Sequence, residues 1–174
     1  MRPFYKAGDY GMKNSVGYLI RRTANLVLPQ LETMFAEDEL TFSQWTVLMA
    51  LREWQASTSA EIARNICHDA GSLTRILDQL EQRGLIARLR SDADRRVVML
   101  TLTPRGGEMV ERLIHKVVDF WNSLLGDFSH GEIKTLIKLM SRLVTAAGGE
   151  PDTRPRHRQA EHDRLREHRR GRHA

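Results

Sequence analysis

The chain contains a single cysteine, so no internal disulfide can form, which favours a reducing compartment. No stretch approaches the roughly 18 apolar residues that a membrane-spanning helix needs. The opening residues, MRPFYKAGDYGMKN, also lack the apolar stretch of a secretory signal. Both absences point to a soluble cytoplasmic protein. Missing too are G-x-S-x-G, H-E-x-x-H, a glycine-rich phosphate loop and C-x-x-C. An enzyme reading therefore has nothing to attach to, and no catalytic residue, metal ligand or cofactor is expected. Excess charge is nearly absent from the body of the chain. Eight arginines and four acidic residues after Glu150 supply +4 of the net +5, leaving +1 for residues 1–150. The high pI of 9.8 comes mainly from that tail and does not by itself mark the body as a nucleic-acid binder. The length of 174 residues suits one domain with a real core rather than two.

What is present is concentrated in residues 57–103, STSAEIARNICHDAGSLTRILDQLEQRGLIARLRSDADRRVVMLTLT. Thr58 and Glu61 make a capping box that opens a short helix bearing Ile62, Ala63 and Ile66. Cys67-His68 forms the turn, and Asp69 is a good N-cap for a second helix. Leu73, Ile76, Leu77 and Leu80 give that helix one buried face, and Gly84 stops it. Gly71, Ser72, Thr74 and Arg75 remain exposed near its start. Arg75 suits either a guanine edge or a phosphate, and the sequence does not choose between them.

Two strands follow, Ile86–Arg90 and Val97–Thr103, flanking Ser91-Asp92-Ala93-Asp94-Arg95-Arg96. Two adjacent arginines on a hairpin tip suit the narrow minor groove of A·T-rich DNA; the competing reading is a solvated turn with weak surface ion pairs. The order of elements is a winged helix-turn-helix, mainly α with a small β-hairpin wing, and its expected partner is double-stranded DNA. Arg83, Arg88, Arg90, Arg95 and Arg96 cluster around the helix and wing, so the placement of charge argues for DNA where the total does not.

The flanks are helical. Val16, Leu19, Ile20, Thr23, Val27, Leu31 and Met34 share one face of a first helix that Pro29 should kink or interrupt. Thr41 and Gln44 make a second capping box, with Leu40 and Trp45 as its hydrophobic staple. Pro104 opens another helix carrying Met109, Val110, Leu113, Ile114, Val117, Trp121, Leu124 and Leu125. Ser129 and Glu132 open the last, with Ile133, Leu136, Ile137, Met140, Leu143 and Val144, closed by Gly148-Gly149. A winged helix of this size cannot bury all three terminal helices, so a second copy is expected to cover them. A two-fold dimer then sets two recognition helices about 34–36 Å apart on a pseudo-palindromic site. The expected division is an N-terminal arm at 1–12, dimerisation helices at 13–37 and 104–147, a DNA-binding lobe at 40–103, and a basic, disordered tail at 148–174. The tail reads either as nonspecific phosphate attraction or as a solvated extension; its four histidines lack the spacing of a metal site.

The segments LTFSQWTVLMALRE and SLTRILDQLEQRGLIARLRSDADRRVVMLTLTPRG resemble the MarR family of bacterial transcription regulators. The resemblance spans residues 13–147. Its most specific part is D-R-R…L-T-L-T-P-x-G, Asp94 to Gly106, after a helix ending L-E-x-R-G-L-I. It implies an obligate homodimer of winged-helix subunits, usually a repressor released by a small phenolic or otherwise aromatic ligand. Carried over, the recognition-helix contacts fall on Ser72, Thr74 and Arg75, and the wing contact on Arg95 or Arg96. A ligand cavity is implied where the dimerisation helices meet the DNA-binding lobe, at Tyr18, Arg22, Trp45 and Met49, with His68 a further candidate. An aromatic pocket with one cation suits an aromatic carboxylate or phenolate. For each of these residues singly, core packing or a surface ion pair is the competing reading.

Two alternatives stand beside this. Cys67 could act as a redox switch, since a thiol near a helix N-terminus can acquire a lowered pKa. The family's peroxide sensors resemble one another in a reactive cysteine on the first helix, where this chain has none, so packing is the stronger reading. A winged helix serving only protein–protein assembly would need the Ser72, Arg75, Arg95 and Arg96 surfaces to be dispensable.

Overall fold

The structure, a computed structural model, describes residues 3–54, 56–66, 70–90 and 97–149. Two 3-10 turns, Ala7–Asp9 and Met12–Asn14, precede α1 (Val16–Ala36), α2 (Phe42–Trp54), β1 (Ala56–Ser57), α3 (Ser59–Ile66) and α4 (Ala70–Gln82). There follow β2 (Ile86–Arg90), β3 (Val98–Leu102), α5 (Pro104–Leu124) and α6 (His130–Ala146). The chain forms two compact units, Met1–Trp45 and Thr46–Ala174.

In the first unit, the start of α1 is held by hydroxyls. The Ser15 side chain accepts from the Tyr18 N–H at 3.2 Å, and the Tyr5 hydroxyl accepts from the Val16 N–H at 3.0 Å. Helix starts leave such N–H groups without intrahelical partners, so the N-terminal arm supplies one of the caps. The arm is ordered by edge-on ring contacts, Phe4 to Tyr5 and Tyr5 to Tyr10, with centroids 5.0 and 5.1 Å apart. Contrary to one of the two expected outcomes, Pro29 does not interrupt α1. It lies exposed, where water can serve the Asn25 carbonyl that its missing N–H abandons. The neighbouring carbonyls of Leu26 and Pro29 accept from the side chains of Gln30 at 2.8 Å and Thr33 at 3.0 Å. At the other end, Leu40 N–H bonds the Phe35 carbonyl and Glu39 N–H bonds the Ala36 carbonyl, both at 3.0 Å. This paired closure turns the chain through a left-handed residue, here Glu39 at φ 56°. Val27, Leu31, Phe35, Leu40 and Trp45 are buried, and Trp45 stacks on Phe35 with centroids 5.4 Å apart. The Thr41/Gln44 capping box forms as expected, with both bonds at 3.1 Å.

The second unit contains the winged helix-turn-helix. Thr58 and Glu61 close their capping box. Ile62, Leu73, Leu77, Leu80, Leu85, Ile86 and Leu100 are buried together with Leu48 and Leu51 of α2 and Val110 and Leu113 of α5. β2 pairs antiparallel with β3, Ile86 opposite Leu102 through Arg90 opposite Val98. The sheet has a third strand that the sequence reading lacked: β1 adds to the far edge of β3, giving the order β1-β3-β2. β3 is a residue shorter at each end than expected; at its C-terminal end Thr103 leaves the strand to cap α5, its hydroxyl accepting from the Gly106 N–H at 3.0 Å.

α5 and α6 divide their apolar residues unequally. Met109, Val110 and Leu113 are buried, whereas Val118, Trp121 and Leu124 further along α5 are exposed. α6 has no buried residue at all. Among the described residues, no helix is long and apolar enough to cross a membrane.

Candidate nucleic-acid interface

α4, the second helix of the helix-turn-helix, is split cleanly by its periodicity. Leu73, Leu77 and Leu80 are at most 2 % exposed, and these anchor one side to the core. Gly71, Ser72, Thr74 and Arg75 are exposed, as the sequence indicated. At 100° per residue, Arg75 lies nearly opposite Leu73 and Leu77, which aims it straight out from the lobe. Asp78, Gln79 and Gln82 are exposed on the same outer side. The two glutamines were missed in the sequence reading, although their i+4 and i+7 spacing from Arg75 was a usable signal. Their amides have the donor–acceptor pairing that matches an adenine edge.

The C-terminal end of α4 is fixed by four backbone and hydroxyl contacts. Leu85 N–H bonds the Leu80 carbonyl at 3.0 Å and Gly84 N–H the Glu81 carbonyl at 2.8 Å, with Gly84 at φ 67°. The Thr103 hydroxyl donates to the Gly84 carbonyl at 2.7 Å, and Thr103 N–H donates to the Leu85 carbonyl at 3.1 Å. A Cβ on Gly106 would lie 1.9 Å from that same Leu85 oxygen, so only glycine lets α5 start this close. The reading helix, the wing and α5 therefore meet at one rigid corner.

Arg88 departs from the expected role. Counted from sequence among the cations facing DNA, it instead donates through Nη2 to Asp78 Oδ1 at 2.6 Å and through Nη1 to Glu81 Oε2. The hydrogen bond to Asp78 is the chief cause holding this guanidinium above its ordinary value, with burial opposing it. The partners lie ten and seven residues back across the Gly84 turn, a relation no local pattern shows. Arg75 and Arg90 are in no ion pair among the described residues. Arg95 and Arg96 lie outside the described residues, as do Cys67, His68 and Asp69; the two arms of the wing are described, its tip is not.

Of the expected ligand residues, Tyr18 and Arg22 come together on α1, Arg22 Nη1 donating to the Tyr18 hydroxyl at 3.3 Å. They line a concavity of about 390 Å³ with Arg21, Asn25 and Leu26. Trp45 is 7 % exposed and committed to its stack on Phe35. Met49 is half-buried and belongs to the second unit.

A family model described as "MarR family" matches residues 40–98, from the start of α2 into β3. The chain is 30 % identical over 134 residues to the organic hydroperoxide resistance transcriptional regulator of Bacillus subtilis (strain 168), covering 77 % of this chain and 88 % of that one. The chain belongs to the MarR family. Among solved structures, it is similar to Bordetella bronchiseptica BpsR, whose DNA binding is described as regulated by 6-hydroxynicotinic acid. That likeness has a TM-score of 0.70 at 27 % identity over 78 % of this chain and 97 % of that one. A mutant MarR from E. coli complexed with operator DNA matches with a TM-score of 0.66 at 28 % identity, over 74 % of this chain and 93 % of that one. Membership makes this a winged-helix, DNA-binding transcription regulator, and the relatives are regulators rather than enzymes. In this MarR-family chain, α4 presents an exposed, polar outward face.

Proposed function

We propose that this MarR-family regulator is a homodimeric repressor of a pseudo-palindromic operator, released by an aromatic acid. The observation that carries the DNA reading is the outward polar face of α4, with Ser72, Thr74 and Arg75 exposed beside the antiparallel arms β2 and β3. Arg95 and Arg96 at the wing tip supply the minor-groove contact, and the arginines of residues 151–174 add sequence-independent attraction for phosphate. The second copy is argued from apolar exposure. Leu136, Ile137, Met140, Leu143 and Val144 of α6 are all at least 37 % exposed, a face that a monomer would leave in water.

The effector reading rests on the α1 concavity, where two guanidinium groups and a phenol are matched to an anionic aromatic ring. The similarity to a regulator controlled by 6-hydroxynicotinic acid supports that chemistry. An effector acts only through its different affinity for the DNA-competent and incompetent states, and complete reversal needs about 5.5 kcal/mol of difference. The test is a titration of operator enriched from a random library. Arg75→Ala weakens operator binding by about 1–3 kcal/mol with less effect on random DNA if it reads a base. Equal losses on both make it a phosphate contact, and no loss removes it from the interface. Salicylate weakens operator binding, and Arg22→Ala raises the concentration required; DNA affinity indifferent to a panel of aromatic acids would sink the effector class.

The similarity to a hydroperoxide-resistance regulator keeps a second reading in play at Cys67, the chain's one thiol. Its thiolate would attack an organic hydroperoxide, forming a sulfenic acid and releasing the alcohol. Cys67→Ser abolishes a peroxide response if this is the switch and leaves the aromatic-acid response intact.

A further inference from the structure

α4 carries one carboxylate on its outer face, Asp78, and a second on its flank, Glu81, where DNA phosphates would approach. Asp78 lies one turn beyond Thr74 and Arg75, and Glu81 follows three residues later. Their side chains are 50 % and 38 % exposed, so neither charge is hidden from a duplex lying along the helix. Unscreened, two negative charges one and nearly two turns from the reading residues oppose binding to any sequence, because phosphate contacts dominate affinity. The fork of Arg88 grips both at once. Its backbone is fixed in turn, since Arg88 stands opposite Leu100 in the β2–β3 ladder and Leu100 is 2 % exposed. The planar guanidinium suits this task, presenting two parallel donors that a lysine cannot.

We propose that Arg88 is the counter-ion of the recognition helix, a positioning residue that cancels the repulsion between Asp78, Glu81 and DNA without itself touching a phosphate. Both donor arms engage carboxylates, and one positive charge against two negative ones leaves the cluster at −1. Arg88 thus contributes by removing a penalty. The inference rests on the DNA-binding reading of α4.

The test compares full-length variants on enriched operator and on random duplex of equal length. Arg88→Met weakens both by about three- to tenfold, the scale of one exposed charge beside a polyanion. Asp78→Asn with Glu81→Gln tightens both. The triple variant Arg88→Met, Asp78→Asn, Glu81→Gln returns to wild-type affinity or better. Thermal melts of each variant verify folding; if Arg88→Met does not fold, the Asp78→Asn, Glu81→Gln pair decides alone, since weaker binding by that pair overturns the proposal. A triple variant as weak as Arg88→Met makes Arg88 a direct phosphate contact, and an unchanged Arg88→Met removes any role; either result overturns it. If wild type binds no duplex, the DNA reading of α4 fails and this one with it. Wild type that binds while the variants depart from this pattern sinks only the counter-ion role.

Discussion

Gly106→Ala tests the corner that joins the reading helix, the wing and α5. The new Cβ would sit 1.9 Å from the Leu85 carbonyl oxygen, 2.9 Å from its carbon and 3.3 Å from Leu102 Cδ2. The first two contacts are with backbone, which cannot rotate away as a side-chain tip can. Relief requires the start of α5 to lift away from Leu85. Three bonds hold that spacing: Gly106 N–H to Thr103 Oγ1 at 3.0 Å, Thr103 N–H to the Leu85 oxygen at 3.1 Å, and the Thr103 hydroxyl to the Gly84 carbonyl at 2.7 Å. Loss of the cap costs about 1 kcal/mol. One further broken bond costs about 1 kcal/mol. Residual overpacking adds about 1–3 kcal/mol. The expected loss is therefore about 3–5 kcal/mol, a large share of a typical total of roughly 5–15 kcal/mol. Urea denaturation followed by helical circular dichroism, at fixed protein concentration to hold any dimer linkage constant, reads the change. Gly107→Ala is the control: no atom lies within 4 Å of its Cβ position, and alanine gains about 0.5–1 kcal/mol in a helix interior. If the two substitutions have the same effect, or Gly106→Ala changes stability by less than about 0.5 kcal/mol, the close-approach argument is wrong.

Glu39→Gly should stabilise the chain by up to about 1 kcal/mol, because relief of a left-handed residue outweighs the extra freedom of glycine when unfolded. A lower urea midpoint would show that the Glu39 side chain matters more than its φ of 56°. Ser57→Ala should leave stability unchanged or raise it by about 1 kcal/mol, since Ser57 is 0 % exposed and its hydroxyl has no hydrogen-bond partner among the described residues. A loss larger than that in the same denaturation assay would refute the orphan assignment. Glu132 is held below the ordinary 4.5, first by the Ser129 hydroxyl and then by the Ser129 backbone N–H. A depressed carboxylate stabilises fully above its unfolded value and loses that contribution as pH falls through the folded one. Helicity of α6, followed by amide exchange, should thus decline on acidification below about 4.5 in wild type but not in Glu132→Gln; matching acid titrations would contradict this.

Much of the site was legible in the residues because its determinants are local. Capping boxes at Thr41/Gln44, Thr58/Glu61 and Ser129/Glu132 close within three residues, so their chemistry is written in spacing alone. The leucine face of α4 and the Gly84 stop belong to the same class. The outward placement of Ser72, Thr74 and Arg75 then follows, since a helix with one buried face must expose the other.

What sequence periodicity could not supply was any relation carried across the chain. β1 is two residues long, with no pattern of its own, and exists only because Thr101 and Leu100 of β3 offer it an edge. Arg88 looked like one more cation for DNA until folding across the Gly84 turn set it between two carboxylates. Gly106 was part of a motif, but its reason is the Leu85 oxygen that only tertiary packing brings there. Sequence by itself determined the family, the order of the helices and of the two wing strands, and the exposed face of α4, because these follow from bonds and periodicities spanning a few residues. Tertiary structure alone decided which charges remain available to DNA and where the backbone admits no side chain, because both depend on groups that meet only when distant segments pack.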